Sequence, residues 1–301
     1  MRCVLCNSEN NKFLLKATDT YMNVDDKVYD LVQCRDCQLT TLNPILTEDE
    51  LKKYYPSDYK IFDKQAEITF NDKSFLSNIR TKLIKILRLN TLELLLEKYS
   101  SKKINYLDYG CGNGKNIFTL SNKFSEWSFH GYDKFNNKIL DLKDKRIFFY
   151  DKKNFELIKD EYFDIINLSS VIEHVNNPKE LISFLYKKLK KNGIIIIKTP
   201  NFQSLSRKIF QKNWHNLDIP RHFHIFSAKN LNLLLEMHNL KKIKTIYSRN
   251  SGVELKSFYK ILNLQKKPKF HKFLLKIFNP ITFILSFFNL TSTFTIVSKK
   301  D

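Results

Sequence analysis

Ile104-Asn-Tyr-Leu-Asp108-Tyr-Gly110-Cys-Gly112-Asn-Gly114 is the stretch that decides the fold of this chain. A short apolar run ending at Asp108 leads directly into three glycines within five residues, in a sequence of 301 residues that contains only six. A chain so poor in glycine places three together where backbone shape demands it. Helical spacing resumes at Lys115 and continues to about Phe124, so the stretch reads as strand, glycine turn and helix. That context lets backbone approach a ligand closely, with helix N–H groups facing it. Glycine turns also arise for packing alone, so the residues on either side must decide between the two.

Outward from this stretch, short apolar runs alternate with helical ones. Trp127-Ser-Phe-His-Gly131, Arg146-Ile-Phe-Phe-Tyr150, Phe163-Asp-Ile-Ile-Asn-Leu168 and Gly193-Ile-Ile-Ile-Ile-Lys198 follow, then Lys242 to Tyr247 and Ser292 to Ser298. Strands separated by helices imply βαβ units and a sheet covered on both faces, an α/β fold. Asp133, at the end of the second run, lies 19 residues after Gly114, near the interval at which a carboxylate holds ribose hydroxyls. An ordinary helix cap would look the same. Upstream, residues 60–74 read as a polar linker, and Phe75 to Tyr99 carries apolar residues at helical spacing with a break near Asn90.

Hydrophobic residues make up 43% and aromatics 14%, which fills a core and excludes disorder as the main state. The net charge of +20 predicts attraction to anions and says nothing of fold. It is uneven, with 13 Lys and Arg against two Asp and Glu over residues 241–301. No secretory signal opens the chain and no run of 18 apolar residues occurs, so a cytoplasmic protein without a membrane span is expected.

Cys3-x2-Cys6 and Cys34-x2-Cys37 stand 27 residues apart, and Cys111 is alone. Two such knuckles suit a tetrahedral Zn site, a reading preferred to two disulfides in a reducing compartment. Four thiolates leave no open position, so the metal would be structural. The alternating segment ending Val28-Tyr-Asp-Leu-Val-Gln33 suits a hairpin carrying the second knuckle, and Thr47 with the acidic residues after it predicts a short capped helix before Pro56.

Further motifs follow at set distances: Val171-Ile-Glu-His-Val-x-x-Pro178, Leu189-Lys-Lys-x-Gly193 and Thr199-Pro-Asn201. With Asp108-x-Gly-Cys-Gly-x-Gly114, Gly131-Tyr-Asp133 and Phe163-Asp-Ile-Ile166, they make residues 75–301 resemble a class I S-adenosylmethionine-dependent methyltransferase. The N-terminal piece is similar to the zinc-binding module preceding that domain in some bacterial sugar methyltransferases. The resemblance implies a Rossmann-like seven-stranded sheet of order 3-2-1-4-5-7-6, last strand antiparallel, flanked by helices and preceded by a small zinc ribbon. It divides the chain into a zinc-ribbon module with a short helix (1–60), linker and helices (61–100) and a methyltransferase domain (101–301) with insertions at about 202–227 and 252–290. It also implies that Asp108, Gly110, Cys111, Gly112 and Gly114 surround the cofactor's methionine end, that Asp133 holds the ribose, and that Asp151 and its neighbours line the adenine, with Ser169 in the same binding set.

The chemistry agrees with this resemblance. A sulfonium carries a positive charge beside an amino-acid carboxylate, and Asp108 and free N–H groups of the turn can meet them. Gly-x-Gly-x-Gly departs from the dinucleotide fingerprint Gly-x-Gly-x-x-Gly, so S-adenosylmethionine is preferred to NAD. Cys111 reads as a small buried filler.

Methyl transfer needs proximity, orientation and exclusion of water, with a base only where the accepting atom arrives protonated. Candidates are Glu173 and His174 after the fourth strand, and His222 and His224 within Trp214-His-Asn-Leu-Asp-Ile-Pro-Arg-His-Phe-His-Ile-Phe-Ser227. At alternate positions, His222 and His224 would point the same way on an extended segment. His222 is the first choice of base and His174 the second; any of these residues could instead serve structure alone. In some relatives Glu-x-x-Glu-His holds a divalent cation, but Ser170 replaces the first Glu here, so no catalytic metal is expected.

Between the last two strands, Gly252 to Leu290 combines lysines with phenylalanines. It reads as a helical lid with a solvated basic face, as a segment lying on the anionic inner face of a membrane, or as a grip on a phosphate-bearing substrate. The resemblance points to a small, nucleotide-linked or lipid-linked sugar of a cell-surface polysaccharide as the acceptor. The alternatives are an RNA methyltransferase, which the zinc module and positive charge would suit, and a catalytically silent zinc-containing binding protein.

Overall fold

A computed structural model of the protein describes residues 1–55, 92–134, 144–264 and 268–301, without the side chains of Glu48, Glu93 and Leu94. The linker read at 60–74, most of the helical stretch read at 75–99, and Pro56 lie outside the described residues. Two compact units are present, Met1–Ser57 with Ile158–Asp301, and Asp58–Leu157. This division does not follow the boundaries at 60 and 100, because the N-terminal residues share a core with much later ones.

That core begins with a hairpin. The alternating segment folds as β1 (Asn11–Ala17) and β2 (Tyr29–Cys34), antiparallel from Asn11 opposite Cys34 to Ala17 opposite Tyr29, and β3 (Thr40–Asn43) extends the sheet. Thr47 caps the helix Glu48–Lys52 in a capping box, with the Glu50 carboxylate accepting from the Thr47 N–H at 2.8 Å.

In the unit Asp58–Leu157, β4 (Ile104–Tyr109), β5 (Trp127–Tyr132) and β6 (Ile147–Tyr150) pair in parallel. The helix Lys115–Ser121 joins β4 to β5, shorter than the stretch to Phe124. Aromatic packing closes this side: the Phe124 and Trp127 rings stack at 4.1 Å and Tyr106 lies 5.9 Å from Trp127. Gly131 in β5 has no room for a side chain, since a Cβ there would meet the Phe149 ring at 2.5 Å.

In the other unit, β7 (Phe163–Ser169) runs parallel to β8 (Leu189–Pro200), which begins four residues before Gly193. Ile194 to Ile197 are at most 1% exposed, so β8 reads as a continuous apolar run, as a strand covered on both faces does. β9 (His224–Ile225) joins β3 rather than the main sheet, a pairing without a local sequence signal. β10 (Leu240–Tyr247) and β11 (Thr293–Lys300) end the sheet, with β11 antiparallel to both β8 and β10.

The seven strands stand in the order β10-β11-β8-β7-β4-β5-β6. Numbered from β4 and read from the other edge, this is the 3-2-1-4-5-7-6 order that the resemblance implies. The stretch read as an insertion at 202–227 holds the helix Leu205–Phe210, two short turns and β9; that at 252–290 holds the helices Gly252–Ile261 and His271–Phe287. Trp214, Leu217, Ile219, Phe223 and Ile225 pack into one core with Tyr29, Leu31, Leu42, Leu51 and Tyr54 of the N-terminal module. The residues read as a separate ribbon therefore form the wall behind the histidine loop.

Candidate functional site

The glycine turn after β4 is a strained loop that only its sequence allows. Gly110, Gly112 and Gly114 all have positive φ, at 79°, 54° and 84°. The N–H groups of Gly110 and Cys111 donate to the Tyr132 carbonyl at 2.7 and 3.1 Å, tying the turn to the end of β5. Asp133 accepts from the Gly112 N–H at 2.8 Å. A Cβ on Gly112 would meet nothing within 4 Å, so open space lies over the loop. Asp108 is 3% exposed and accepts from the Asn116 side chain at 3.0 Å, which orients its carboxylate from the first turn of the helix Lys115–Ser121. A buried carboxylate, a run of left-handed glycines and an uncovered backbone form a cradle that fits the methionine end of S-adenosylmethionine.

Cys111 is buried, and burial pushes its thiol well above the usual range, which suits a packed filler and not a nucleophile. Asp151 is exposed and caps the helix Lys152–Glu156 by accepting from the Asn154 N–H at 2.7 Å. Beside the turn, the Tyr132 and Phe155 rings stack at 4.7 Å and Tyr109 lies 5.0 Å from Tyr132. This aromatic group has one signal in the sequence, a tyrosine beside each of the two strand-end aspartates.

A second cluster forms in the unit that holds β7. Ser169 ends β7 in an exposed position, and a short turn Ile172–His174 follows. Glu173 is fully buried: one oxygen accepts from the Thr199 hydroxyl at 3.0 Å, the other has no partner among the described residues, and burial raises its pKa. The His174 Nδ1 lies 3.0 Å from the Arg221 carbonyl and 3.1 Å from the Tyr55 hydroxyl. The His222 Nδ1 lies 2.8 Å from the Asn216 carbonyl. A carbonyl only accepts, so both rings carry their proton on Nδ1 and present a bare Nε2 when neutral. The two rings meet edge to face at 4.6 Å.

Behind them is a buried charge network. The Arg221 guanidinium binds both oxygens of Asp19, at 2.6 and 3.2 Å, and donates to Asp218 through Nε and Nη2 at 2.9 and 2.7 Å. Burial raises the pKa of Asp218, but His222 and Arg221 outweigh it and hold the carboxylate below its usual range. Burial likewise opposes ionisation of Asp19, and the bond to Arg221 overcomes it. Two carboxylates against one guanidinium leave a net negative charge, with the far oxygen of Asp218 3.9 Å from the His222 Nε2. That oxygen is the charged group set against the His222 ring. His174 is different: burial, then His222, lowers its pKa to about 3, which makes it a weak proton acceptor.

His224 faces the N-terminal sheet. Its Nε2 lies 3.3 Å from the Asn176 carbonyl and its Nδ1 3.3 Å from the Thr41 hydroxyl, so both nitrogens are engaged and neither is presented to a substrate. Glu173, His174 and His222 each offer a donor atom within 4.8 Å of the others. No catalytic metal was expected from the sequence, yet this trio is a donor set that a divalent cation could use. At the N-terminus the four sulfurs of Cys3, Cys6, Cys34 and Cys37 also lie within 4.8 Å of one another, with Cys3–Cys37 and Cys6–Cys34 at 3.5 Å. These are free thiols, and their spacing is close to the edge of a tetrahedron of thiolates around one zinc.

Among known proteins, the family described as "Methyltransferase domain" matches residues 78–245. The chain belongs to this methyltransferase-domain family. A mitochondrial ubiquinone biosynthesis O-methyltransferase of Dictyostelium discoideum is 32% identical over 120 residues, 34% of this chain and 37% of that protein. A ubiquinone biosynthesis O-methyltransferase of Rickettsia typhi is 27% identical over 163 residues, 52% of this chain and 62% of that protein. The chain thus spans less than two thirds of the length of either relative. A SAM-dependent methyltransferase from Archaeoglobus fulgidus is similar in fold, at 20% identity and TM-score 0.47, over 76% of this chain and 100% of that one. Another from Methanosarcina mazei has 16% identity and TM-score 0.44, over 68% and 96%.

Asp19, Tyr55, Asp218 and Arg221 are the residues of the second cluster that the sequence did not single out. Asp218 and Arg221 lay in the dense His and aromatic stretch, but Asp19 is 202 positions from Arg221 and no local signal joins them.

The buried histidines predict acid sensitivity. Burial lowers the pKa of His130 to about 4, of His174 to about 3 and of His224 to about 4. The unfolded chain protonates histidine near pH 6.5, so below that pH it binds more protons than the fold, and stability falls until the folded pKa is reached. The loss is roughly 1 kcal/mol or somewhat more per ring at pH 5.5, about 3–4 kcal/mol in all. Urea midpoints at pH 7.5 and pH 5.5 measure it, and equal midpoints would show that the folded protein protonates these rings.

Proposed function

We propose that this chain is an S-adenosylmethionine-dependent methyltransferase that methylates a hydroxyl of a small or lipid-linked acceptor, a sugar or sugar nucleotide of cell-surface polysaccharide biosynthesis. The observation that carries the cofactor is the glycine turn with buried Asp108 on one side and Asp133 bonded to its middle. Asp108 would hold the ammonium of the donor and Asp133 the ribose hydroxyls, the N–H groups of Gly110, Cys111 and Gly112 being taken up by Tyr132 and Asp133. When bound, the cofactor supplies an electrophilic methyl on a positively charged sulfur. The His222 Nε2 takes the proton of the accepting hydroxyl, and the Asp218 carboxylate stabilises the imidazolium that results. The names of the two relatives support oxygen as the accepting atom, and the sugar rests on the likeness of the N-terminal module.

Calorimetric titration with S-adenosylhomocysteine tests the cofactor. Transfer of labelled methyl to nucleotide sugars, lipid-linked sugars and long RNA tests the acceptor. One binding site together with labelled sugar supports the proposal; labelled RNA with steep salt dependence turns it to the RNA alternative, and no binding at all removes the enzyme reading.

The four N-terminal cysteines are proposed to hold structural zinc. Protein purified from zinc-supplemented cells should carry about one equivalent, and Cys34→Ser should carry close to none. The same substitution should lower stability by several kcal/mol, because metal binding is coupled to folding of the knuckles. Unchanged metal content in Cys34→Ser would remove the assignment.

A further inference from the structure

The helix His271–Phe287 leaves an apolar stripe in the open. Phe270, Phe273, Ile277, Ile281, Ile284 and Phe287 follow at steps of three and four residues, which sets them on one face, and each is between 43% and 63% exposed. Scattered exposed apolar residues are ordinary, but a contiguous row of six large ones is not. The opposite face fastens the helix. Thr282 is buried there, and Phe278 packs 5.8 Å from Phe258 of the helix Gly252–Ile261. The Tyr259 hydroxyl lies 2.6 Å from the His271 Nδ1, and the Ser251 hydroxyl donates to Asn279 at 2.7 Å. The stripe is thus a presented surface.

Charge selects what covers it. From Leu255 to Lys300 the sequence has nine lysines and neither Asp nor Glu. Lys269, Lys272 and Lys276 are exposed and lie by helical position along one flank of the stripe. A second copy docked on the same stripe would set these lysines against each other, whereas an anionic surface neutralises them. No described helix is long and apolar enough to cross a membrane.

We propose that this face lies on an anionic lipid bilayer, with the Phe and Ile row in the acyl boundary and the lysines among the headgroups. The arrangement has a consequence for the reaction. The Ser257 hydroxyl accepts from the His215 N–H at 2.9 Å, so a single intervening helix links the membrane-facing helix to the loop bearing His222. A surface-bound enzyme therefore holds that loop in fixed relation to the bilayer, which suits a lipid-linked acceptor; this consequence rests on the acceptor class proposed above, and the surface itself does not.

Co-sedimentation of the full chain with vesicles tests the surface. The protein should pellet with mixed phosphatidylglycerol and phosphatidylcholine vesicles and far less with phosphatidylcholine alone. Ile277→Glu with Ile284→Glu should lower binding at least about ten-fold. Lys272→Glu with Lys276→Glu should lower binding to anionic vesicles by roughly five-fold per lysine. Both variants change exposed residues, and circular dichroism melting checks that they remain folded. No pelleting with anionic vesicles, equal pelleting with both vesicle types, or equal pelleting of both variants and the wild type overturns the proposal. So does a dimer in light scattering that the isoleucine variant converts to monomer, which would assign the stripe to a second copy.

Discussion

Asp133→Ala protein is expected to show no calorimetric binding of S-adenosylhomocysteine at concentrations that saturate the wild type. Two losses coincide in this substitution. The Gly112 N–H, which Asp133 holds at 2.8 Å, loses its acceptor, and the turn whose three alternate glycines have positive φ loses a tether to the end of β5. The proposed bonds to the ribose hydroxyls go as well. A hydrogen bond to a charged group is worth about 1.5–3 kcal/mol, so two or three of them amount to roughly 4 kcal/mol or more, about a thousand-fold in affinity. Asp133→Asn keeps an oxygen for Gly112 but not the charge, and should lose about ten-fold to a hundred-fold. Unfolding midpoints should stay close to wild type, because the site lies at a strand end. An affinity within about three-fold of wild type in Asp133→Ala would show that the ribose is not held here.

His222→Ala should show the opposite separation. Affinity for S-adenosylhomocysteine should remain within about two-fold of wild type, because the residue lies outside the glycine turn. Methyl transfer should fall by roughly a hundred-fold to ten-thousand-fold, the usual worth of a positioned base. The geometry explains the preference for this ring over its neighbours. His174 is too weakly basic at a pKa of about 3, and both nitrogens of His224 are already bonded. His222 alone faces the far oxygen of a carboxylate held ionised by Arg221. Added imidazole should restore part of the turnover of the alanine variant. Full turnover without it would remove His222 from the reaction.

How much of this was legible beforehand depends on the range of the interactions. The α/β class and the glycine turn could be read because each is written in neighbouring residues, apolar runs of strand length and turn glycines, whereas the sheet order came only with the family resemblance that the spaced motifs carry. The cysteine knuckles and the Ser227 cap of the helix Ala228–Glu236 were local in the same way. The histidine cluster was only half legible. Its members stood out as residue types, but their ranking depended on which nitrogen meets a carbonyl and which carboxylate is paired.

Legible in the residues themselves were the alternation of strands and helices, the glycine turn and the spacing of the four cysteines, since backbone conformation and the spacing of a short motif follow from adjacent residues. Tertiary packing alone makes the N-terminal module the wall of the histidine loop, through Asp19 binding Arg221 and Thr41 meeting His224. It alone also showed which face of the helix His271–Phe287 is left uncovered. Those contacts join residues up to 202 positions apart, and a buried ion pair or a covered helix face is fixed by what packs against it, which no local pattern of residues encodes.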